Sequence, residues 1–117
     1  MSDSFRARAS FVVGAMVLFL LAPAARAGAQ DAAKGEAVYA AQKCSMCHSI
    51  AGKGSKANPL DGVGKKLSAD EIRQWIVNPV EMTAKTKSTK KPPMAARYAK
   101  LPAADIDALV AYMQSLK

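Results

Sequence analysis

Hydrophobic and polar positions along the chain fall into blocks of different rhythm. Phe11 to Ala22 is apolar throughout apart from Gly14, a continuous run with no period. From Asp31 to Gln42 the spacing becomes helical: Gly35, Val38, Tyr39 and Gln42 recur at intervals of three and four and share one face. A glycine inside a helix costs about 1 kcal/mol against alanine, so Gly35 implies either a close approach by another element or a glycine tolerated near the helix start. Between Ser49 and Lys66 the period disappears, and Gly52, Gly54, Pro59, Gly62 and Gly64 predict a loop. Ser68-Ala69-Asp70-Glu71 is a capping box that should start a second helix, with Ile72, Trp75 and Ile76 on one face and Asn78-Pro79 as its stop. Val80 to Lys91 again has no period and reads as loop, closed by Pro92-Pro93. The last stripe is Ile106, Leu109, Val110, Met113 and Leu116, which predicts a terminal helix from Pro102 to about Leu116. Pro102 suits its first turn, and Asp105 and Asp107 lie early, where the helix dipole favours acids. The pattern therefore predicts an all-α protein with three main helices joined by loops.

The first apolar run changes the picture of where the protein works. Arg6 and Arg8 precede it, and Ala25-Arg26-Ala27 supplies the small residues of a signal-peptidase site. The run is about a dozen residues long, whereas a spanning helix needs about 20. We expect a cleaved signal over residues 1–27, with cleavage after Ala29 as the second choice and a retained anchor as the alternative, and one domain over 28–117. No later segment is apolar enough to span a bilayer, so the mature protein is expected to be soluble and periplasmic. All three phenylalanines leave with the signal. A chain this small buries only about 60% of the surface its unfolded form exposes, so a bound apolar body would add much to its core.

Cys44-Ser45-Met46-Cys47-His48 supplies the chemistry. Two thiols three residues apart with a histidine directly after have the spacing of a c-type haem attachment site. Each thiol adds to one vinyl group of the porphyrin, and the adjacent imidazole lies beneath the iron as proximal ligand. A redox-active CxxC would leave His48 idle. A zinc site needs four ligands, and Cys44, Cys47 and His48 are the only cysteines and histidine in the chain. Export agrees, since haem is joined to such sites outside the cytoplasm.

With Gly35, Tyr39, the CxxCH site, Leu109 and Tyr112 in place, the mature sequence resembles a small bacterial class I cytochrome c over nearly its whole length. The resemblance implies a class I cytochrome c fold, three main helices and loops wrapped around one covalently bound haem c held through Cys44 and Cys47. It implies that Gly35 and Tyr39 of the first helix meet Leu109 and Tyr112 of the last, although Tyr39 lies five residues before Cys44 where the family usually has four. It implies that a proline carbonyl accepts from the second nitrogen of the proximal histidine and that a nearby leucine packs on the haem. Pro59 and Leu60 are the matching residues, an ordinary Asn58-Pro59 turn being the alternative. Trp75 matches a tryptophan that hydrogen-bonds a haem propionate, with plain core packing as its other reading.

The sixth ligand decides the function. A methionine sulfur on the second face of the iron makes an electron carrier of raised potential, and an open face makes a site for small ligands. Met46 and Met113 read as structural. In the family the methionine lies shortly before the final helix, which favours Met94 over Met82, with Pro92-Pro93 stiffening its approach. The expected function is a periplasmic one-electron carrier, not an enzyme, with haem iron cycling between Fe(III) and Fe(II) under His48 and Met94. A five-coordinate gas sensor or weak peroxidase, and a dedicated electron-accepting subunit of a periplasmic dehydrogenase, are the alternatives. Charge then points to partners. The formal charge is +8, and +6 once Arg6, Arg8, Arg26 and Asp3 are removed. Export makes nucleic acid a poor match, so Lys85, Lys87, Lys90 and Lys91 are expected to meet acidic redox proteins, or to form a merely solvated loop, on a protein that is most simply a monomer.

Overall fold

The computed structural model describes the backbone of residues 24–117 and side chains from Gly28 onward. The expected export segment therefore lies outside the described residues, apart from helical backbone over its last four. In chain order the elements are helix α1 (Ala24–Ala41), a 3-10 turn at Cys44–Met46, strands β1 (Ser49–Ile50) and β2 (Lys53–Gly54), and helix α2 (Val63–Lys66). Helices α3 (Ala69–Val77) and α4 (Pro79–Thr86), a 3-10 segment at Ala96–Lys100 and helix α5 (Ala103–Ser115) complete the chain. Over the described residues the protein is all-α in character, with α1, α3 and α5 as its main helices and one two-residue strand pair.

α1 and α5 pack against each other, and Gly35 is what lets them approach closely. A Cβ at Gly35 would run into the Ala108 carbonyl and the Tyr112 side chain of α5. Beside this contact the rings of Tyr39 and Tyr112 meet edge to face, 5.8 Å apart at 73°. Lys34 pairs with Asp105 at 3.5 Å across the same interface. α3 starts as expected: Ser68 Oγ accepts from Glu71 N at 3.1 Å, and Glu71 Oε2 accepts from Ser68 N at 2.8 Å. Ile72 and Ile76 of α3 join Val38, Ile106, Leu109, Val110 and Met113 in the core. Arg73 reaches Asp107 at 2.5 Å along the outer side of the α3 and α5 contact.

Three stretches depart from expectation. The first helix begins before Asp31, at Ala24, and ends at Ala41. The Ser49–Lys66 loop contains a hairpin and a helix. Ala51 and Gly52 turn the hairpin with φ of 51° and 77°, a left-handed pair that favours glycine or asparagine; at Ala51 the strained backbone is held by its N–H donating to Asp61 Oδ1 at 2.8 Å. α2 then docks on the chain end, where Gly64 N donates to Leu116 O at 2.9 Å. The Val80–Lys91 loop is half helix. Asn78 ends α3, and Pro79, whose missing N–H costs nothing in a first turn, opens α4. α4 ends with Lys87 in the left-handed region and Ser88 N bonded back to Thr83 O at 3.0 Å. Pro79 and Met82 point inward and Val80 outward, too short a stripe to declare a period.

Candidate haem site

The Cys44–His48 segment is built as a tight turn. Lys43 adopts φ 55°, which swings the chain out of α1. Cys47 N and His48 N both donate to Cys44 O, at 3.1 and 3.0 Å. This turn sets Cys44, Cys47 and His48 on the wall of one apolar cavity of about 560 Å³. That size falls in the usual range for small-molecule and cofactor sites, about 300 to 1,000 Å³. Both thiols are free, Cys44 half-buried and Cys47 exposed. Burial raises the Cys44 thiol pKa above its ordinary value. Gly54 sits against this turn: a Cβ there would strike the His48 carbonyl and crowd Ser45.

The His48 ring is oriented by the backbone. Its Nδ1 lies 3.1 Å from the Asn58 carbonyl, which can only accept, so Nδ1 carries the proton and Nε2 keeps its lone pair. Burial pushes the imidazole pKa down, with the Asn58 bond opposing, and both the neutral form and the free Nε2 suit a metal ligand. The expected acceptor was the Pro59 carbonyl, and this is corrected by one residue. Ser49 N donates to Asn58 O, Leu60 N donates to Ser49 O, and a parallel bridge joins Ser49 to Pro59. That register turns the Asn58 carbonyl toward the ring and leaves Pro59 exposed and off the cavity wall. Asn58 Nδ2 also donates to Cys47 O at 3.3 Å, tying the same residue to the thiol turn.

Leu60, Trp75 and Met94 all line the cavity, brought there by three different parts of the chain. Met113 and the exposed Met46 line it as well, whereas Met82 is buried in α4 and does not. Core residues Ile72, Ile76 and Leu109 face the same space, so the cavity is continuous with the hydrophobic core. Among the described residues, Lys43, Lys90 and Arg97 are the charged ones on its wall, and no carboxylate lines it. Arg97 lies 5.0 Å over the Tyr98 ring and donates to its hydroxyl at 3.1 Å.

Sequence reasoning missed several of these residues. Asn58 was visible as half of an Asn-Pro dipeptide, but nothing local says which carbonyl faces a ring ten residues away. Arg97 and Tyr98 had no signal at all. Tyr39 was placed on a helix face, yet its buried hydroxyl has no hydrogen-bond partner among the described residues, and burial, followed by the proximity of Cys44, pushes its pKa up to about 12. An orphaned hydroxyl, an apolar cavity and two free thiols beside an imidazole with an open Nε2 together fit a bulky apolar group that bonds to sulfur and coordinates nitrogen.

Among known proteins, the family model described as Cytochrome c matches residues 32–117. No curated protein and no solved structure matches the chain.

Proposed function

We propose, since the chain belongs to the cytochrome c family, that it is a soluble periplasmic one-electron carrier in which His48 and Met94 are the axial ligands of the haem c attached through Cys44 and Cys47. The observation that carries this reading is that one apolar cavity collects both thiols, the oriented imidazole and the Met94 side chain. When bound, haem c supplies the one-electron chemistry, its iron alternating between Fe(III) and Fe(II).

The protein's own residues have four tasks. The Asn58 carbonyl holds the His48 ring and keeps Nε2 free for the metal. Leu60, Ile76, Leu109 and Met113 keep water from the site. Trp75 stands on the wall, and its indole N–H would donate to a haem propionate. Lys43, Lys90 and Arg97, unopposed by any lining carboxylate, favour the form of the site that holds the extra electron. No side chain is needed as acid, base or nucleophile, which agrees with a family made generally of electron carriers.

The partners proposed are redox proteins with acidic surfaces. Lys85, Lys87 and Lys91 are exposed and, among the described residues, make no ion pair. They lie on α4 and the segment after it, which adjoins the cavity wall at Ser88 and Lys90.

The test is the absorption spectrum of the reduced holoprotein with and without carbon monoxide. The wild type should not change, because both axial positions are closed, while Met94→Ala should shift promptly. A prompt shift in the wild type would replace this reading with that of an open-iron sensor or peroxidase.

A further inference from the structure

We propose that Lys90 is a positioning residue that fastens the Met94 side of the cavity wall to the loop holding His48, and thereby slows displacement of Met94 by an external ligand. The inference rests on the reading of Met94 as an axial ligand.

Ser88, Lys90, Pro92, Pro93 and Met94 contribute one continuous stretch of the cavity wall. Its upstream end is anchored, because Ser88 N closes the cap of α4 on Thr83 O. Beyond that point the backbone has little to hold it. Pro92 and Pro93 have no N–H to donate. Lys90 N reaches only Ser88 Oγ, at a long 3.4 Å. Lys90 Nζ, however, donates to the Ala57 carbonyl at 3.0 Å, thirty-three residues away. Among the described residues no other hydrogen bond joins Thr89–Ala95 to a distant part of the chain.

The place where Lys90 lands gives the bond its meaning. Ala57 directly precedes Asn58, so two consecutive carbonyls receive the two sides of the site: Ala57 takes the ammonium from the Met94 segment, and Asn58 takes the His48 ring. One short piece of backbone thus sets the spacing between the segment that carries the sulfur and the turn that carries the imidazole. Of the four lysines in the Lys85–Lys91 run, Lys90 is turned to the protein's own backbone and lines the cavity. Its first task is therefore internal.

The test follows imidazole binding to the ferric holoprotein by stopped flow in the wild type, Lys90→Met, Lys90→Arg, Met94→Ala and the Lys90→Met/Met94→Ala double variant. Methionine keeps the length of the lysine stem without the donor, and arginine keeps a donor that reaches the carbonyl. Lys90→Met should bind imidazole about five- to tenfold faster, the factor one net hydrogen bond supplies. Lys90→Arg should return to the wild-type rate, and in the Met94→Ala background Lys90→Met should add nothing. A wild-type rate in Lys90→Met alongside a fast Met94→Ala overturns the fastening and leaves Met94 as ligand. A wild type already as fast as Met94→Ala sinks the Met94 reading instead. Hydrogen exchange of the 88–95 amides then decides about Lys90: faster exchange in Lys90→Met sustains the tie, and unchanged exchange overturns it.

Discussion

Gly35 is a residue at which the absence of a side chain does physical work. Adding one methyl group there collides with the Ala108 carbonyl, a backbone atom that cannot move without shifting α5. Alanine would gain about 1 kcal/mol of helix propensity. The overpacking penalty, about 1 to 3 kcal/mol for cores that can adjust, lies at its upper end or beyond when the obstacle is backbone. Gly35→Ala should therefore lower the stability of the holoprotein by about 2 kcal/mol, read from its urea midpoint; a midpoint at or above the wild type would mean that the helices can separate freely. At the histidine the lesson is different. The acceptor is a main-chain carbonyl, so substituting the Asn58 side chain removes only its bond to Cys47 O and leaves the one to His48.

Among the elements, α3 is the one whose start is written most plainly. Both halves of its capping box are formed, and Ser68→Ala should cost about 1 kcal/mol. The partner carboxylate adds a pH signature. Bonds to Ser68 hold the Glu71 carboxyl below its ordinary value in the folded state. A lowered folded pKa means that the contribution is complete above the unfolded value and disappears as pH falls through the folded one. The stability gap between wild type and Glu71→Ala should be open at pH 7 and close on acidification into the range below ordinary glutamate titration. A gap independent of pH would show that the cap works without the charge. α4 makes the contrary case, since the hydroxyls of Thr83 and Thr86 bond back to Pro79 O and Met82 O, a use of threonine that composition alone assigns to loop.

For the whole molecule the decisive fact is that the core and the haem cavity share walls. Ile72, Ile76, Leu109 and Met113 belong to both. Central side chains that face a cofactor cavity lose their packing contacts on that side when the cofactor is gone. Cys44→Ser/Cys47→Ser protein without haem should show sharply reduced helical circular dichroism and no cooperative melting; a cooperative transition near that of the holoprotein would mean that the helices suffice. The basic balance is likewise a property of the whole. A formal charge of +8 over the full chain, +6 without residues 1–27, should speed encounter with acidic partners at low salt. Reduction by such a partner should slow as salt rises from roughly 10 mM to 1 M, over which the Debye length falls from about 30 to 3 Å. A rate indifferent to salt would favour a carrier held permanently on its enzyme.

Much of this protein was decided by short-range rules that a linear sequence carries whole. The CxxCH spacing states its chemistry within five residues, the capping box states a helix start within four, and the α5 stripe repeats often enough to declare a face. Gly35 pointed to a close approach or to a glycine tolerated near a helix start, and the packing of α5 against it decided for the first. What the tertiary structure decided has a common physical cause: it depends on which backbone group meets a residue far away in the chain. The Ser49 bridge chose Asn58 over Pro59 for His48, and the Asp61 carboxylate made a left-handed alanine tolerable in the hairpin. The same cause set Met94 on the cavity wall while α4 buried Met82, and it carried Lys90 across to Ala57. Periodicity reports which face of an element is apolar. Only the packed chain determines which atoms that face will touch.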